Sequence, residues 1–381
     1  MTRRTHVAID IGASSGRHVL GWLENGKICL REMYRFENGA DLKNGHLYWD
    51  HARLEREIVN GLRACHEAGE CPETVGIDTW GVDYALLDAS GALTGDTAAY
   101  RDSRTAGIPD TLDDDALYAV TGIQRQPFNT LYQLLADKRD RPESLEKAER
   151  LLFMPEYLAY VLSGRMENEY TIASTSGLLD AQKRDWAWAL IDSLGLPRRL
   201  FGPLRQPGFS LGRVRPEIAR EIGFAPEVIL PPAHDTAAAV LGAPLEAGDA
   251  FLSSGTWSLL GAEIDAPVLT RDARLKGLTN EGGVAGTYRF LKNIMGLWII
   301  QNIRRELPGK PSFGDMAAWA EASEAFPGRI DVDAPEFLAP ENMTEAIRAH
   351  LEELNKMELL MEMVNNENED YDDDVVLDEF L

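Results

Sequence analysis

The sequence predicts an α/β fold built from two related halves. Two stretches carry this prediction: at residues 5–23 and again at 250–261, an apolar run, a turn rich in serine and glycine, and a second apolar run follow one another. Helical and buried-strand patterns fill much of the remaining chain, as expected for sheets covered by helices. With 381 residues, the chain is long enough for two or three domains, each with its own core.

The first stretch holds a candidate ligand-binding loop. Its apolar run ends on Asp10-Ile11, the turn is Gly12-Ala13-Ser14-Ser15-Gly16-Arg17, and a hairpin signal, Asn25-Gly26, follows the second run. Glycine permits close backbone approach, so N–H groups and hydroxyls of this turn could face phosphate oxygens, and Asp10 suits a hydrated Mg²⁺. The turn matches neither a Walker A loop nor a dinucleotide fingerprint. An ordinary hairpin with a polar turn remains the alternative.

A second candidate lies further along the chain. Residues 49–68 show helical periodicity, and two strand-like runs then flank Asp78-Thr79-Trp80-Gly81. Here Trp80 offers an apolar ring face, and Gly81 allows close approach by a small polar ligand. A hairpin with the tryptophan in the core explains the same residues.

A third candidate follows several helices. Helices are predicted at 115–121, 131–136, 146–162 and 186–194, and a buried strand at 228–230. His234-Asp235-Thr236 comes after this strand, at the first turn of an alanine-rich helix. The Asp235 carboxylate either caps the helix or, if it faces a cleft, acts as a general base for a hydroxyl.

The second serine- and glycine-rich stretch repeats the pattern of the first, with Ser253-Ser254-Gly255-Thr256 between its apolar runs. Two such turns, one opening each half, suggest that a nucleotide's phosphates are held between two hairpins. The remaining predicted elements are a turn-rich segment at 278–283, a strand at 288–291, a helix opening at Lys292 and running through Gln301 towards Arg305, and a helix from 341 to about 354.

Composition and charge exclude several classes of partner. The net charge is −24, which disfavours nucleic acids and anionic membranes as partners because both would repel the chain. Residues 355–381 contain ten acidic residues and one lysine, so they supply −9 and leave −15 for the rest. No run reaches the roughly 18 apolar residues of a membrane span, and no signal peptide is recognised.

Cysteine usage indicates a reducing compartment. The three cysteines form no disulfide framework in a chain of this length. Cys65, His66 and Cys71 match no usual zinc spacing and lack a fourth ligand, so no metal site is predicted there. We therefore predict a cytoplasmic protein, whose oligomeric state cannot be predicted from the sequence.

Taken together, six motifs resemble those of the FGGY family of carbohydrate kinases, over the chain from about residue 5 to about 350. They are Asp-Ile-Gly-Ala-Ser-Ser-Gly-Arg at 10–17, Gly-Ile-Asp-Thr-Trp-Gly-Val-Asp-Tyr at 76–84, Tyr-Arg-Asp-Ser-Arg at 100–104, His-Asp-Thr at 234–236, Ser-Ser-Gly-Thr-Trp-Ser at 253–258 and Lys-Asn-Ile-Met-Gly-Leu-Trp at 292–298.

The resemblance implies an α/β, actin/hexokinase-like (ribonuclease H-like) kinase fold of two domains. We expect a sugar-binding and phosphate-loop domain at 1–240 and part of an ATP-binding domain at 241–354. Within the family, the motifs are most similar to those of members that phosphorylate L-rhamnulose at O1, using ATP and Mg²⁺, in L-rhamnose catabolism. The resemblance therefore implies this reaction for the chain.

The resemblance also implies roles for individual residues. Asp235 is the implied catalytic base, which accepts the proton of the sugar's primary hydroxyl, and Asp10 is the implied Mg²⁺ ligand. The implied ATP contacts are Ala13, Ser14, Ser15, Gly16, Arg17, Thr256 and Gln301, and the implied sugar contacts are Gly81, His234, Asp235, Thr236 and Asn293.

The chain departs from the family pattern near its end. Family members continue further and carry a glycine-rich segment that lies against the adenosine, and we find no such segment after Leu354. Residues 355–381 form an acidic low-complexity tail that we predict to be disordered, with a short amphipathic helix at 357–363 as its one candidate element. The alternative to an active kinase is a truncated, catalytically inactive fragment that retains sugar binding.

Overall fold

The computed structural model describes residues 3–324, 329–338 and 340–368. By packing, the chain divides into two compact units. The first unit comprises Met1–Ser253 and Leu259–Asn293, and the second comprises Ser254–Ser258 and Ile294–Leu381. The predicted boundary between the sugar-binding domain and the ATP-binding domain, after residue 240, is a different kind of division and remains a prediction.

The described residues form eighteen β-strands and thirteen α-helices. In chain order, the strands are β1 (Thr5–Ile11), β2 (Ser15–Glu24), β3 (Lys27–Glu37), β4 (Asp41–Lys43), β5 (His46–Tyr48), β6 (Thr74–Thr79), β7 (Tyr84–Leu87), β8 (Arg150–Phe153), β9 (Asn168–Glu169), β10 (Leu179–Asp180), β11 (Asp185–Trp186), β12 (Leu204–Arg205), β13 (Ser210–Arg213), β14 (Glu227–Ile229), β15 (Ala250–Ser254), β16 (Ser258–Ile264), β17 (Leu278–Gly282) and β18 (Tyr288–Ile294). The helices are α1 (His51–Glu67), α2 (Asp114–Thr121), α3 (Thr130–Asp140), α4 (Pro142–Lys147), α5 (Met154–Ser163), α6 (Tyr170–Ala173), α7 (Trp188–Ser193), α8 (Pro216–Ile222), α9 (Asp235–Gly242), α10 (Arg271–Leu275), α11 (Leu297–Glu306), α12 (Phe313–Ala322) and α13 (Met343–Asn368).

A six-stranded mixed sheet forms the centre of the first unit, in the order β13-β14-β6-β1-β2-β3. Because β1 and β6 pair in parallel, their carboxyl ends lie at the same edge, with Asp10 beside Asp78. Next to β6 lies β14, also parallel, and the chain leaving β14 forms an isolated bridge between His234 and Thr79. This edge of the sheet therefore gathers residues from three of the sequence motifs.

Local sequence explains the predicted elements that the structure contains. At the β2–β3 turn, Asn25 and Gly26 have φ of 51° and 75°, the left-handed pair that an Asn-Gly hairpin turn requires. Helix α1 begins where the Asp50 carboxylate accepts a hydrogen bond from the Arg53 N–H at 2.9 Å. The apolar face of α1 is buried through Leu54, Ile58, Leu62 and Cys65.

The first unit has two apolar cores. One packs α1 and α5 on the central sheet, with Ile9, Ile77 and Leu158 fully buried. The other surrounds Phe153 and Trp186, where α3, β8 and the segment after α6 meet. Burial of these aromatic and aliphatic side chains is the main stabilising term of the unit and holds the edge that carries the motifs.

In the second unit, α11 and α13 pack together, with Phe337 and Met343 fully buried in a smaller core. Helix α13 continues to Asn368, so the helix predicted to end at about residue 354 extends into the tail predicted to be disordered. Residues 369–381 of that tail lie outside the described residues. Of the helices that the structure describes, none combines the length and apolarity needed to cross a membrane.

The structure corrects three predicted elements. The helix predicted over 146–162 is two helices, α4 and α5, separated by β8, which pairs antiparallel with β7. The turn-rich segment predicted at 278–283 is strand β17, paired antiparallel with β18. The helix predicted to open at Lys292 begins at Leu297, because β18 continues to Ile294.

Candidate functional site

The turn between β1 and β2 is braced by its own backbone and by Asn38. The Gly12 N–H donates to Ser15 O at 2.8 Å, the Asn38 N–H donates to Ser14 O at 3.0 Å, and Asn38 Nδ2 donates to Gly12 O at 2.8 Å. These bonds occupy the carbonyls of Gly12, Ser14 and Ser15, whereas the N–H groups of Ala13 and Ser14 have no partner among the described residues. Unpaired successive N–H groups suit an anion, such as the predicted phosphate.

At the start of β2, Gly16 and Arg17 have structural partners of their own. A Cβ on Gly16 would lie 2.2 Å from the ring of Phe36, its cross-strand neighbour, so packing alone requires glycine here. Arg17 Nε donates to Asp10 Oδ2 at 2.9 Å, and Nη2 lies 2.8 Å from the same oxygen. The guanidinium offsets the charge of Asp10 while 48% of the Arg17 side chain stays exposed.

Asp78 lies in the second candidate stretch, where no role was predicted for it, and the structure places it directly beside Asp10 on the neighbouring strand. Burial raises the pKa of Asp78 well above its usual range, and the negative charges of Asp10 and Asp235 add to this effect. Among the described residues, no group of three or more His, Cys, Asp or Glu side chains is placed to hold a metal ion. A sequence signal for Asp78 exists, because β1 and β6 both carry Ile-Asp where parallel neighbours reach one sheet edge.

Asp235 is the first residue of α9, and the N-cap is His234. Of the two roles that the sequence allowed for Asp235, the structure therefore does not support that of helix cap. Its Oδ1 accepts hydrogen bonds from the Thr236 N–H at 2.6 Å and from Thr236 Oγ1 at 3.1 Å, and lies 3.2 Å from His234 Nε2. Its Oδ2 has no partner among the described residues, and 39% of the side chain is exposed. The two oxygens of this carboxylate therefore differ: one is held and one is open.

The pKa of Asp235 is raised, chiefly because the surrounding protein removes water from the carboxylate. The nearby negative charge of Asp10 adds to this rise, while His234 and the two donors of Thr236 oppose it. A carboxylate with a raised pKa is a better proton acceptor than an ordinary surface aspartate, provided that it stays ionised.

The ring of His234 lies against two buried charged residues that were not predicted. Arg289 Nη1 donates to His234 Nδ1 at 3.1 Å, and Glu281 Oε2 lies 3.3 Å from the same nitrogen. Burial acts to raise the pKa of Glu281, but the positive charge of Arg289, together with His234, outweighs it and lowers the pKa. Glu281 lies in the segment predicted as a turn, where residues are usually exposed, so its burial could not be predicted.

Gly81 follows the end of β6 and is tightly packed. A Cβ there would lie 3.3 Å from His234 Nε2 and 3.3 Å from Thr175 Oγ1, closer than most real Cβ contacts. Trp80 is buried, its Nε1 donates to Asp83 Oδ2 at 2.9 Å, and its ring packs on that of Trp49 with centroids 4.1 Å apart. This favours the core interpretation of Trp80, although β6 and β7 lie in different sheets and form no hairpin.

The other predicted site residues lie elsewhere. Asn293 is on β18 in the first unit and is half-buried, rather than on the helix predicted for it. Thr256 lies in the β15–β16 turn and Gln301 on α11, both in the second unit. The carbonyls of Gly255 and Thr256 accept hydrogen bonds from the first N–H groups of α11, those of Leu297 and Trp298, at 3.1 Å each.

Comparison with known proteins identifies the family that these features resemble. Residues 5–242 match the N-terminal domain of the FGGY family of carbohydrate kinases, and residues 250–364 match its C-terminal domain. A rhamnulokinase of Oceanobacillus iheyensis is 43% identical over 358 residues, covering 93% of this chain and 76% of that protein. A rhamnulokinase of Bacillus subtilis is 41% identical over 349 residues, covering 90% of this chain and 71% of that protein.

Solved structures confirm the fold. A xylulose kinase from Lactobacillus acidophilus gives a TM-score of 0.72 at 17% identity, covering 84% of this chain and 66% of that chain. A glycerol kinase from Plasmodium falciparum, solved with ADP, gives 0.68 at 15% identity, covering 84% and 67%. The chain thus spans about two thirds of each. The predicted α/β two-domain kinase fold is confirmed.

Proposed function

The chain belongs to the FGGY family of carbohydrate kinases, and from this premise we propose that it transfers the γ-phosphoryl group of ATP to O1 of L-rhamnulose. The substrate proposal rests on rhamnulokinases that are 41–43% identical over most of this chain. The product would be L-rhamnulose 1-phosphate, a step of L-rhamnose breakdown.

One observation supports the chemistry most strongly: the two oxygens of Asp235 have different surroundings. Oδ1 accepts two hydrogen bonds from Thr236 and lies 3.2 Å from His234 Nε2, whereas Oδ2 has no partner in the described part of the chain. Oδ2 would accept the proton of the sugar's primary hydroxyl. The hydroxyl oxygen would at the same time attack the γ-phosphorus of ATP in line, and ADP would leave. Holding Oδ1 fixes the direction of Oδ2, and in phosphoryl transfer such positioning supplies much of the acceleration.

The phosphates would be held by the turn between β1 and β2. The free N–H groups of Ala13 and Ser14 and the exposed guanidinium of Arg17 can stabilise the charge on phosphate oxygens. ATP contacts through Ser15, Gly16, Thr256 and Gln301, and sugar contacts through Gly81, His234, Thr236 and Asn293, belong to the same proposal.

Mg²⁺ fits the residues at the edge of the central sheet. Asp10 and Asp78 are neighbouring carboxylates, and Mg²⁺ in kinases is commonly held by one or two carboxylates together with substrate phosphates. We assign the ion to Asp10, with Asp78 beside it. A bound Mg²⁺ would supply positive charge to the phosphates, while Arg17 offsets the charge of Asp10.

The proposed location is the cytoplasm. The three cysteines, Cys29, Cys65 and Cys71, are free, as is usual in a reducing compartment. The net charge of −24 also supports small molecules rather than nucleic acid as partners.

The proposal is tested by measuring ADP release from Mg²⁺-ATP by the purified chain, with and without L-rhamnulose. We expect sugar-dependent release, and we expect Asp235→Asn to lower it by roughly 10²- to 10⁴-fold, the usual contribution of a general base. Asp192→Asn is the matched control, because Asp192 is an exposed residue of a surface ion pair with Arg198.

Each outcome has a definite meaning. Equal ADP release by the wild type and Asp235→Asn would contradict the role of Asp235. ADP release with D-xylulose or glycerol but not with L-rhamnulose would contradict the proposed substrate, while the proposed kinase activity would stand. No release by a folded wild type that still binds L-rhamnulose would favour the inactive sugar-binding alternative.

A further inference from the structure

Glu281 and Arg289 form a buried ion pair across the β17–β18 hairpin. The strand register places them directly opposite each other, and Arg289 Nη1 lies 3.0 Å from Glu281 Oε2. Arg289 has no exposed surface, and Glu281 is 6% exposed. Arg289 Nε also donates to Gly282 O at 3.1 Å, which fixes the plane of the guanidinium.

Stability alone is a weak explanation for such a pair. Removing two charges from water is costly, and apolar side chains of similar volume often replace a buried ion pair without loss of stability. The pair does, however, reach one residue of the candidate site. Both Arg289 Nη1 and Glu281 Oε2 lie within 3.3 Å of His234 Nδ1.

The contact with Arg289 determines where His234 carries its proton. A guanidinium can only donate, so His234 Nδ1 accepts from Arg289 Nη1 at 3.1 Å. A neutral imidazole then carries its proton on Nε2. That nitrogen lies 3.2 Å from Asp235 Oδ1, so the proton is placed beside the carboxylate, where the two attract each other electrostatically.

The backbone at His234 is fixed independently of the ring. Glu169 Oε2 accepts from the Ala233 N–H at 3.1 Å, and Ala233 O accepts from the Thr79 N–H at 3.0 Å. Without Arg289, the nearest partner of Nδ1 would be Glu281 Oε2, which accepts a proton rather than donating one. The ring would then turn a lone pair, rather than an N–H, towards Asp235 Oδ1.

We propose that Arg289 and Glu281 are positioning residues that set the Nε2–H tautomer of His234, and through it hold Asp235 Oδ1 so that Oδ2 faces the substrate hydroxyl. Arg289 supplies the donor, and Glu281 neutralises it, so that a permanent cation can be buried beside a neutral histidine. This inference rests on the proposed role of Asp235 as the base.

The test replaces the pair as a whole. Glu281→Leu with Arg289→Met removes both charges and leaves no donor for His234 Nδ1, while avoiding an unpaired buried charge. Nitrogen-15 NMR of labelled histidine in the full chain reads the tautomer directly, and the His234 signal is assigned by its loss in His234→Asn. We expect Nε2–H in the wild type and loss of this single tautomer in the double variant.

Kinetics provide the second measurement. We expect kcat of the double variant to fall roughly 10- to 100-fold with an unchanged KM for ATP, the usual effect of removing a partner that orients a histidine. Arg289→Lys keeps a charged donor and should retain more of kcat than Arg289→Met. Arg104→Gln is the control: it breaks another buried ion pair, with Asp137, and should lower stability without changing the tautomer or kcat.

The two proposals fail in different ways. If the wild type is folded but inactive, the proposed function fails, and the NMR measurement still tests the tautomer. A wild-type His234 protonated on Nδ1 would overturn the positioning proposal. A folded double variant with the same tautomer and the same kcat would also overturn it.

Discussion

Single residues at this site are distinguished by what surrounds them rather than by their type. Asp235 and Asp10 are both aspartates near one edge of the central sheet. Asp10 Oδ2 is paired with a guanidinium, whereas Asp235 has one open oxygen and, among the described residues, no arginine or lysine partner. The first arrangement suits charge neutralisation, and the second suits proton transfer.

The raised pKa of Asp235 predicts the acid limb of the pH–rate profile. A general base must be deprotonated, so kcat/KM falls as the pH drops through the pKa of the folded enzyme. Because that pKa lies above the ordinary aspartate value of 3.8, the fall begins at higher pH than for an exposed aspartate. The profile of the wild type, measured with saturating Mg²⁺-ATP, provides the midpoint.

Two variants separate this limb from other titrations. Asp235→Glu keeps a carboxylate and should keep an acid limb, whereas the residual activity of Asp235→Asn should lack it. An identical acid limb in Asp235→Asn would assign the titration to ATP or to another residue.

At the level of secondary-structure elements, a glycine allows a helix and a strand to pack closely against each other. Gly61 lies inside α1, where a Cβ would come within 2.3 Å of the ring of His18 on β2. That ring cannot move freely, because it is fully buried and its Nε2 hydrogen-bonds to Ile58 O at 3.1 Å. The close packing of α1 on β2 therefore requires a residue without a side chain at position 61.

Gly61→Ala should therefore destabilise the protein, against the ordinary helix propensity. In an unobstructed helix interior, alanine is more favourable than glycine by roughly 1 kcal/mol. Here overpacking against His18 should reverse the sign and lower the free energy of unfolding by about 1–3 kcal/mol. Urea denaturation measures the change.

Gly242 provides the matched control for this substitution. It is the last residue of α9, in the same unit, and a Cβ there meets nothing within 4 Å. Gly242→Ala should be neutral or stabilising. Equal effects of the two substitutions would contradict the packing explanation.

Elements with local signals could be predicted from the sequence. Asn25-Gly26 determines its own turn, and Asp50 marks the start of an amphipathic helix. Strand β8 could not be predicted, because its apolar residues, 151–153, continue into the apolar residues of α5 and fit either the helical or the strand period. Its partner β7 lies more than sixty residues earlier, so the pairing is a tertiary effect.

The candidate site was predictable to a similar degree. Asp10, His234 and Asp235 lie in recognisable motifs, and the structure brings them to one edge of the sheet. Glu281 was missed because Leu278–Gly282 has the composition of a turn, and its strand conformation comes from pairing with β18. Arg289 was missed because a buried charge has no sequence signature until its partner is known.

At the scale of the whole molecule, buried titratable groups oppose one another. In the first unit, burial raises the pKa of Glu156 and Glu169, so these groups bind protons more readily in the folded state and favour it as the pH falls. His18 and His51 act in the opposite direction, since burial lowers the pKa of each from 6.5 to about 4. The change in the free energy of unfolding of the wild type in acid therefore includes opposing contributions from these glutamates and these histidines.

The contribution of the histidines can be isolated by comparing variants. His18 Nε2 bonds to Ile58 O and His51 Nε2 to Thr97 Oγ1, while neither Nδ1 has a partner in the described part of the chain. Protonating Nδ1 would place a charge in an apolar interior without an acceptor. Between pH 6.5 and about 4, the unfolded chain therefore binds more protons at these residues, and they reduce stability as the pH falls.

We therefore expect His18→Gln, which keeps a donor for Ile58 O, to lose less stability in acid than the wild type. The stability advantage of the wild type over the variant should shrink by roughly 3 kcal/mol between about pH 7 and pH 4, the free-energy equivalent of the lowered pKa. Urea denaturation at both pH values measures this difference directly, and His51→Gln should behave similarly. An advantage that stays constant with pH would mean that His18 is already able to take up a proton in the folded protein, which its fully buried position opposes.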